Sequence, residues 1–107
     1  MRIDKFLWSV RLFKTRSLAA DQCKTNKIFI KNEPVKSSKE VKIDDVINVK
    51  KNTAIFSYKV LDLLKSRVGA PLVKNYIEDI TPESEIEKYK TYQEAQREYR
   101  ENDFLTA

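Results

Sequence analysis

The apolar residues of this chain change their period at Lys27. Up to that point Ile3, Leu7 and Val10, with Phe6 and Phe13 in an adjacent row, and then Leu18, Ala19, Ala20 and Cys23 recur every three or four residues, the spacing of a helix face. From Lys27 the interval falls to two, with Ile28 and Ile30 on one side of a short strand and Lys27, Phe29 and Lys31 on the other. A chain that switches period in this way has to pack a helical layer against a sheet. Asp4 reads as the N-cap of the first helix, Lys14 as the break after it, and Thr15 as the cap of the second, which ends near Asn26. With one Gly in 107 residues the left-handed turn positions fall to Asn, and Asn26, Asn32 and Asn52 stand where such turns are needed.

A turn at Lys31 to Pro34 leads to Val35 and an irregular basic passage from Lys36 to Lys39, and Val41 and Ile43 precede a turn at Asp44 and Asp45. Strands over Val46–Val49 and Thr53–Leu61 pair through a turn near Lys51 and Asn52. Further on, Pro71 suits a helix start, with Leu72, Val73, Tyr76, Ile77 and Ile80 burying one face of a short helix. Ser84 and Glu87 have capping-box spacing for a last helix whose thin apolar face carries Ile86, Tyr89, Tyr92, Ala95 and Tyr99. The fold class is therefore α/β (α+β), two N-terminal helices on a small, mostly antiparallel sheet, followed by a short helical extension. The expected division is a domain over residues 1–62 and an extension over 63–107, since a chain this long supports one core.

Charge is distributed unevenly. Residues 1–50 carry twelve Lys or Arg against six Asp or Glu, residues 51–82 five against three, and residues 83–107 four against seven. The positive field belongs to the first half and points to a polyanion as partner. Fifteen of the twenty-one cations are Lys, so Arg is the more informative residue, and Arg2, Arg11 and Arg16 all lie in the basic half. With no His and a single Cys the chain offers no Cys and His zinc cluster and no imidazole for acid-base work, so a non-catalytic protein without cofactor or metal is expected. Cys23 reads as a small core residue in a reducing compartment. The segment after Met1 is charged at once, unlike a secretory signal, and no apolar run approaches the ~20 residues that span a bilayer, which gives a cytoplasmic expectation.

Arg11, Lys14 and Arg16 straddle the junction between the two helices, beside backbone N–H groups that favour an anion. They form a phosphate grip, or else Arg11 complements the first helix dipole while Arg16 is merely solvated. Arg16 sits where the dipole disfavours a cation, so a local structural motive for it is lacking. Lys27, Phe29 and Lys31 interleave an aromatic with two cations, which suits an unstacked base on Phe29; the alternative is that the C-terminal helix covers that ring. Lys36 and Lys39, with Ser37 and Ser38, make either a phosphate-touching hairpin or a solvated turn. Trp8, with Leu7 beside it, reads as a core residue or a half-buried anchor rather than as a stacking platform.

From Arg2 to Val49 the chain resembles the RNA-binding domain named after the fourth protein of the small ribosomal subunit, the alpha-L motif. The resemblance is carried by Arg2, Ile3, Asp4, Leu7, Arg11, Lys14, Thr15, Arg16, Ser17, Ala20, Lys27, Val35, Lys36, Ser38, Val41 and Asp45, with Asn26 and Asn32 where Gly is usual. Within that superfamily the opening DKFLWSVRLFKTRSLA is similar to the fifteen-kilodalton heat-shock protein group, and Arg67, Gly69, Ala70, Tyr76 and Thr81 match its extension loosely. The resemblance implies RNA contacts through Arg2, Arg11, Lys14, Thr15, Arg16, Ser17, Lys27, Lys36 and Ser38, and the pattern of cations and the aromatic adds Lys5, Phe29 and Lys39 as expected contacts. The resemblance also implies ribosomal RNA of the large subunit as partner, with peptidyl-transfer RNA on a stalled subunit, in ribosome rescue. Neither a membrane nor a small-molecule substrate is expected. Two other readings stand beside it: an RNA-targeting accessory to an RNA-modifying enzyme or a synthetase, since the same domain is appended to such enzymes, and a protein adaptor working through the acidic C-terminal helix.

Overall fold

The computed structural model describes the backbone of residues 1–106 and the side chains of residues 1–97. Two helices, α1 (Ile3–Ser9) and α2 (Arg16–Lys24), precede the strands β1 (Ile28–Ile30), β2 (Glu33–Pro34), β3 (Val46–Lys51) and β4 (Ala54–Val60). A 3-10 helix at Ala70–Asn75, a further strand β5 (Ile77–Asp79) and the long helix α3 (Glu83–Thr106) complete the chain. The five strands form one sheet in the order β2-β1-β3-β4-β5, and every neighbouring pair is antiparallel.

The period change at Lys27 is the boundary between the two layers. Ile3, Phe6, Leu7 and Val10 of the first helical segment and Ala19 and Cys23 of α2 are buried against Ile28, Ile30, Ile47, Val49, Tyr58 and Val60 of the sheet. Each fully buried aliphatic or aromatic side chain among them contributes about 1.5 to 3 kcal/mol relative to exposure. Leu18, counted with that helical face, is 45% exposed at the start of α2. Burial raises the Cys23 thiol to about 11, with the Asp4 carboxylate adding to the effect, so the side chain behaves as a core hydrophobe.

Both short helices close in the same way. After α1, Leu12 N–H donates to Leu7 C=O and Arg11 N–H to Trp8 C=O, with Arg11 left-handed at φ 64°. After α2, Lys27 N–H donates to Gln22 C=O and Asn26 N–H to Cys23 C=O, with Asn26 at φ 59°. These are Schellman closures with Arg and Asn in the position usually held by Gly. Lys31 and Asn32, at φ 54° and 64°, form the two-residue link between β1 and β2, and Asn52 at φ 56° opens the link between β3 and β4. The β1–β2 turn is thus tighter than the expected Lys31 to Pro34, and Pro34 lies in β2 opposite Phe29.

Three other expectations are corrected. The N-cap of α1 is Arg2 rather than Asp4, which lies in the first turn. No helix spans residues 71–80: Pro71 lies in the first turn of the 3-10 helix, and Ile77–Asp79 pair with Val60–Tyr58. The outer edge of β4 offers unpaired N–H and C=O groups, and satisfying them outweighs the local helical spacing. Leu72 and Ile80, expected inside, are 50% and 41% exposed. Finally, α3 starts at Glu83, with Glu85 and Ile86 N–H groups on Pro82 C=O, so Ser84 is inside the helix and is not its cap. Ile86, Tyr89 and Tyr92 are half-buried and Ala95 is exposed, while the side chain of Tyr99 lies outside the described residues.

Candidate nucleic-acid interface

The site is organised by Asp4. Its carboxylate is 5% exposed and accepts from Arg2 Nη2 at 3.2 Å, pairs with Arg16 Nη2 at 3.5 Å and accepts the Lys5 backbone N–H at 2.7 Å. Two guanidiniums from two elements therefore share one buried anion, while their own side chains remain 48% and 46% exposed. Each is fixed at one edge and presents the rest of its donor fork to solvent, an arrangement that limits the entropy lost when an anion is bound. This also supplies the structural motive that Arg16 lacked on sequence grounds: the carboxylate of Asp4 offsets its unfavourable place at the start of α2.

The loop between β2 and β3 is pinned to the same corner. Ile3 and Asp4 N–H groups, orphaned at the start of α1, donate to Lys39 and Ser37 C=O at 2.7 and 3.3 Å. Arg2 forms an isolated bridge with Glu40, and Val41 N–H donates to Met1 C=O at 2.9 Å. Arg2, Lys5, Arg16, Lys36, Ser38 and Lys39 are thereby brought to one end of the helical layer. A groove of about 470 Å³ runs along this loop, lined by Lys31, Lys36, Lys39 and Lys42 and also by Glu33, Glu40 and Asp45.

Arg11 and Lys14 sit on the connection from α1 to α2, both largely in solvent. Thr15 caps α2, its hydroxyl accepting Leu18 N–H at 3.1 Å, and Ser17 is exposed in the first turn. Lys27 is exposed on the approach to β1. Phe29 is not part of this grouping. Ile28 and Ile30 face the helices, so Phe29 lies on the opposite side of the sheet, half-buried in a groove of about 310 Å³ shared with Asn48, Ser57, Pro82 and Glu85. The beginning of α3 therefore borders the ring and leaves a groove over it.

What the sequence reading missed is the part played by Asp4. Its spacing from Arg2 was visible, but the link to Arg16 depends on how α1 and α2 pack.

The S4 domain model matches residues 1–47. Over 63 residues the chain is 44% identical to the RQC P-site tRNA stabilizing factor of Helicobacter pylori (strain J99), covering 59% of this chain and 75% of that protein. It is 33% identical over 97 residues to the Heat shock protein 15 homolog of Aeromonas salmonicida, covering 91% of this chain and 72% of that one. The solved structure of trimeric Vibrio cholerae Heat Shock Protein 15 superposes with a TM-score of 0.72 at 27% identity, covering 86% of this chain and 91% of the other. The similarity thus continues beyond the S4 segment into the extension.

Proposed function

Because the chain belongs to the family of heat shock protein 15 homologs and RQC P-site tRNA stabilizing factors, we propose that it is a non-catalytic RNA-binding protein of ribosome rescue. It binds structured RNA of the large ribosomal subunit, on subunits that still hold a nascent chain on transfer RNA, in the cytoplasm. The observation that carries this reading is the shared anion: Asp4 holds Arg2 and Arg16 side by side at the corner where Lys36 and Lys39 are pinned. Cations fixed in register suit the regular phosphates of a folded RNA, and the shape of the helical layer then selects among RNA surfaces. Arg11 and Lys14, exposed on the α1–α2 connection, add two further cations to the helical layer. No helix among the described residues is long and apolar enough to cross a membrane.

The test is sedimentation of the tagged chain through sucrose gradients of cell lysate at low and high salt, wild type beside Arg11→Ala/Lys14→Ala/Arg16→Ala. Migration with large subunits that is weakened by salt and lost in the triple variant is expected. If both proteins stay at the top of the gradient the ribosomal reading fails, and recovery with an RNA-modifying enzyme or a synthetase would put the accessory role in its place.

A further inference from the structure

Beyond β4 the chain returns to the end of α1. Val68 N–H donates to Ser9 C=O at 3.2 Å, and Arg67 Nε donates to Trp8 C=O at 3.2 Å. The Arg67 guanidinium also lies over the Trp8 ring, 5.6 Å from its centroid. Arg11, left-handed at the close of α1, directs Nη1 toward Val68 C=O at 3.5 Å. A segment of the extension is thus laid against the first helix beside one of the proposed RNA-binding cations.

Arg67 uses one ring face and Nε to hold this position. Among the described residues its Nη1 and Nη2 have neither a carboxylate nor a carbonyl partner, and the side chain is only partly buried. A guanidinium that lies over an aromatic ring and is tied through Nε keeps Nη1 and Nη2, the pair that engages a phosphate end-on. We propose that Arg67, stacked on Trp8 next to Arg11, is a phosphate-binding residue, so that the RNA face continues from the S4 segment onto the extension. The inference rests on the RNA reading above and adds to it a ligand class for residues 67–68: an RNA phosphodiester that bridges Arg11 and Arg67. A purely structural clasp would need the ring contact and Nε but not Nη1 and Nη2.

Trp8 is the only tryptophan of the chain and reports on this site directly. The full-length protein is titrated with purified large-subunit ribosomal RNA while Trp8 emission is followed, and filter binding at several salt concentrations is measured for wild type, Arg67→Lys and Arg67→Ala. Circular dichroism confirms folding of each variant. Trp8 emission of the wild type is expected to change to saturation with the binding curve. Arg67→Ala is expected to weaken binding about three- to tenfold and to make the slope of log affinity against log salt shallower by ~0.7 to ~0.9, the value of one phosphate contact. Arg67→Lys keeps the charge and is expected to keep the slope, although the stack is lost. Unchanged Trp8 emission, together with wild-type affinity and slope in Arg67→Ala, overturns the inference while leaving the RNA reading intact. Failure of the wild type to bind this RNA in a salt-sensitive way overturns the RNA reading itself and this inference with it.

Discussion

Asp4 and Glu85 are both carboxylates that accept a backbone N–H and hold a cation, yet they serve opposite ends. Asp4, nearly buried between α1 and α2, divides its charge between two arginines whose outer portions stay in solvent. Glu85, at the start of α3, accepts Ile55 N–H at 3.1 Å and pairs with Lys88 three residues along its own helix at 3.2 Å. The first turns a buried anion into a pair of oriented surface cations. The second covers a sheet edge: β5 reaches only Tyr58 to Val60, and beyond it Thr81 Oγ1 accepts Ser57 N–H at 2.9 Å before Glu85 takes Ile55 N–H. An exposed edge is a template for unwanted pairing, and side-chain acceptors are one way to close it. Glu85, at the start of α3, therefore has a job within the fold. Net charge alone would not separate these roles; what each carboxylate holds does.

The largest way to sharpen this contrast is to strip the first region of its cations. Arg11→Ala/Lys14→Ala/Arg16→Ala is expected to lower affinity for large-subunit RNA by roughly 150- to 2000-fold, taking each charge-assisted phosphate contact as about 1 to 1.5 kcal/mol. Filter binding at fixed salt measures this, and a loss under threefold would mean the phosphates are held elsewhere.

Next comes Asp4→Asn, in which simple charge counting and the geometry disagree. Removing an anion raises the positive field and on that basis alone should tighten RNA binding. If Asp4 acts by holding Arg2 and Arg16, the variant binds about tenfold more weakly and unfolds about 1 to 3 kcal/mol more easily, a discount on the cost of breaking a fully buried pair because both arginines are half exposed. Denaturant unfolding and RNA titration on the same sample decide it; tighter binding would mean that Asp4 acts on RNA only through its charge.

Each region also places a weak acid in the core. Burial, helped by Asp4, raises Cys23 to about 11 from an ordinary 9.0. Burial, helped by Asp79, raises Tyr58 to about 12 from 10.0. Both groups are protonated in the folded state at pH values where the unfolded chain has already released its proton, so deprotonation favours unfolding. These two groups therefore contribute no pH dependence below about pH 9 and lower stability between pH 9 and 12, by about 1 to 2 kcal/mol for each group. Unfolding free energies across that range check the sign, and Cys23→Ala should remove the earlier part of the fall.

The smallest expected effect is that of Glu85→Gln on RNA binding, within about twofold of wild type, because its neighbours are the sheet edge and Lys88 and not the basic corner. The Ile55 N–H holds the Glu85 carboxyl below the usual carboxylate range, with Lys88 adding to the effect. The folded state thus gains from its ionisation at neutral pH and loses that gain as pH falls. A Glu85→Gln variant should accordingly show less acid sensitivity in the pH dependence of unfolding.

The helical layer was legible because short-range signals agreed with the final packing: Thr15 does cap α2, Asn26 does close it, and Ile28 and Ile30 do face the core. The family resemblance was carried by the same stretch, where residue order is tied to local geometry. The extension was read less well. Leu72, Val73, Tyr76 and Ile77 have helical spacing, but Ile77–Asp79 are drawn into the sheet by the unpaired edge of β4, a demand that sequence period does not express. Asp4 was recognised as belonging to the helix start, but its hold on Arg16 depends on the packing of two helices. Arg67 was visible only as a family match, since its contact with Trp8 spans 59 positions. Phe29 was correctly placed on the strand face away from Ile28 and Ile30, and the fold puts that face on the far side from the arginines.

The most direct measurement is the salt dependence of the wild-type chain's affinity for large-subunit ribosomal RNA. If the oriented cations engage about five phosphates, log affinity falls against log salt with a slope of roughly −3.5 to −4.5, at ~0.7 to ~0.9 per contact. A slope near zero would contradict the account, because binding would then owe little to the cations that Asp4 and its neighbouring loop hold in place.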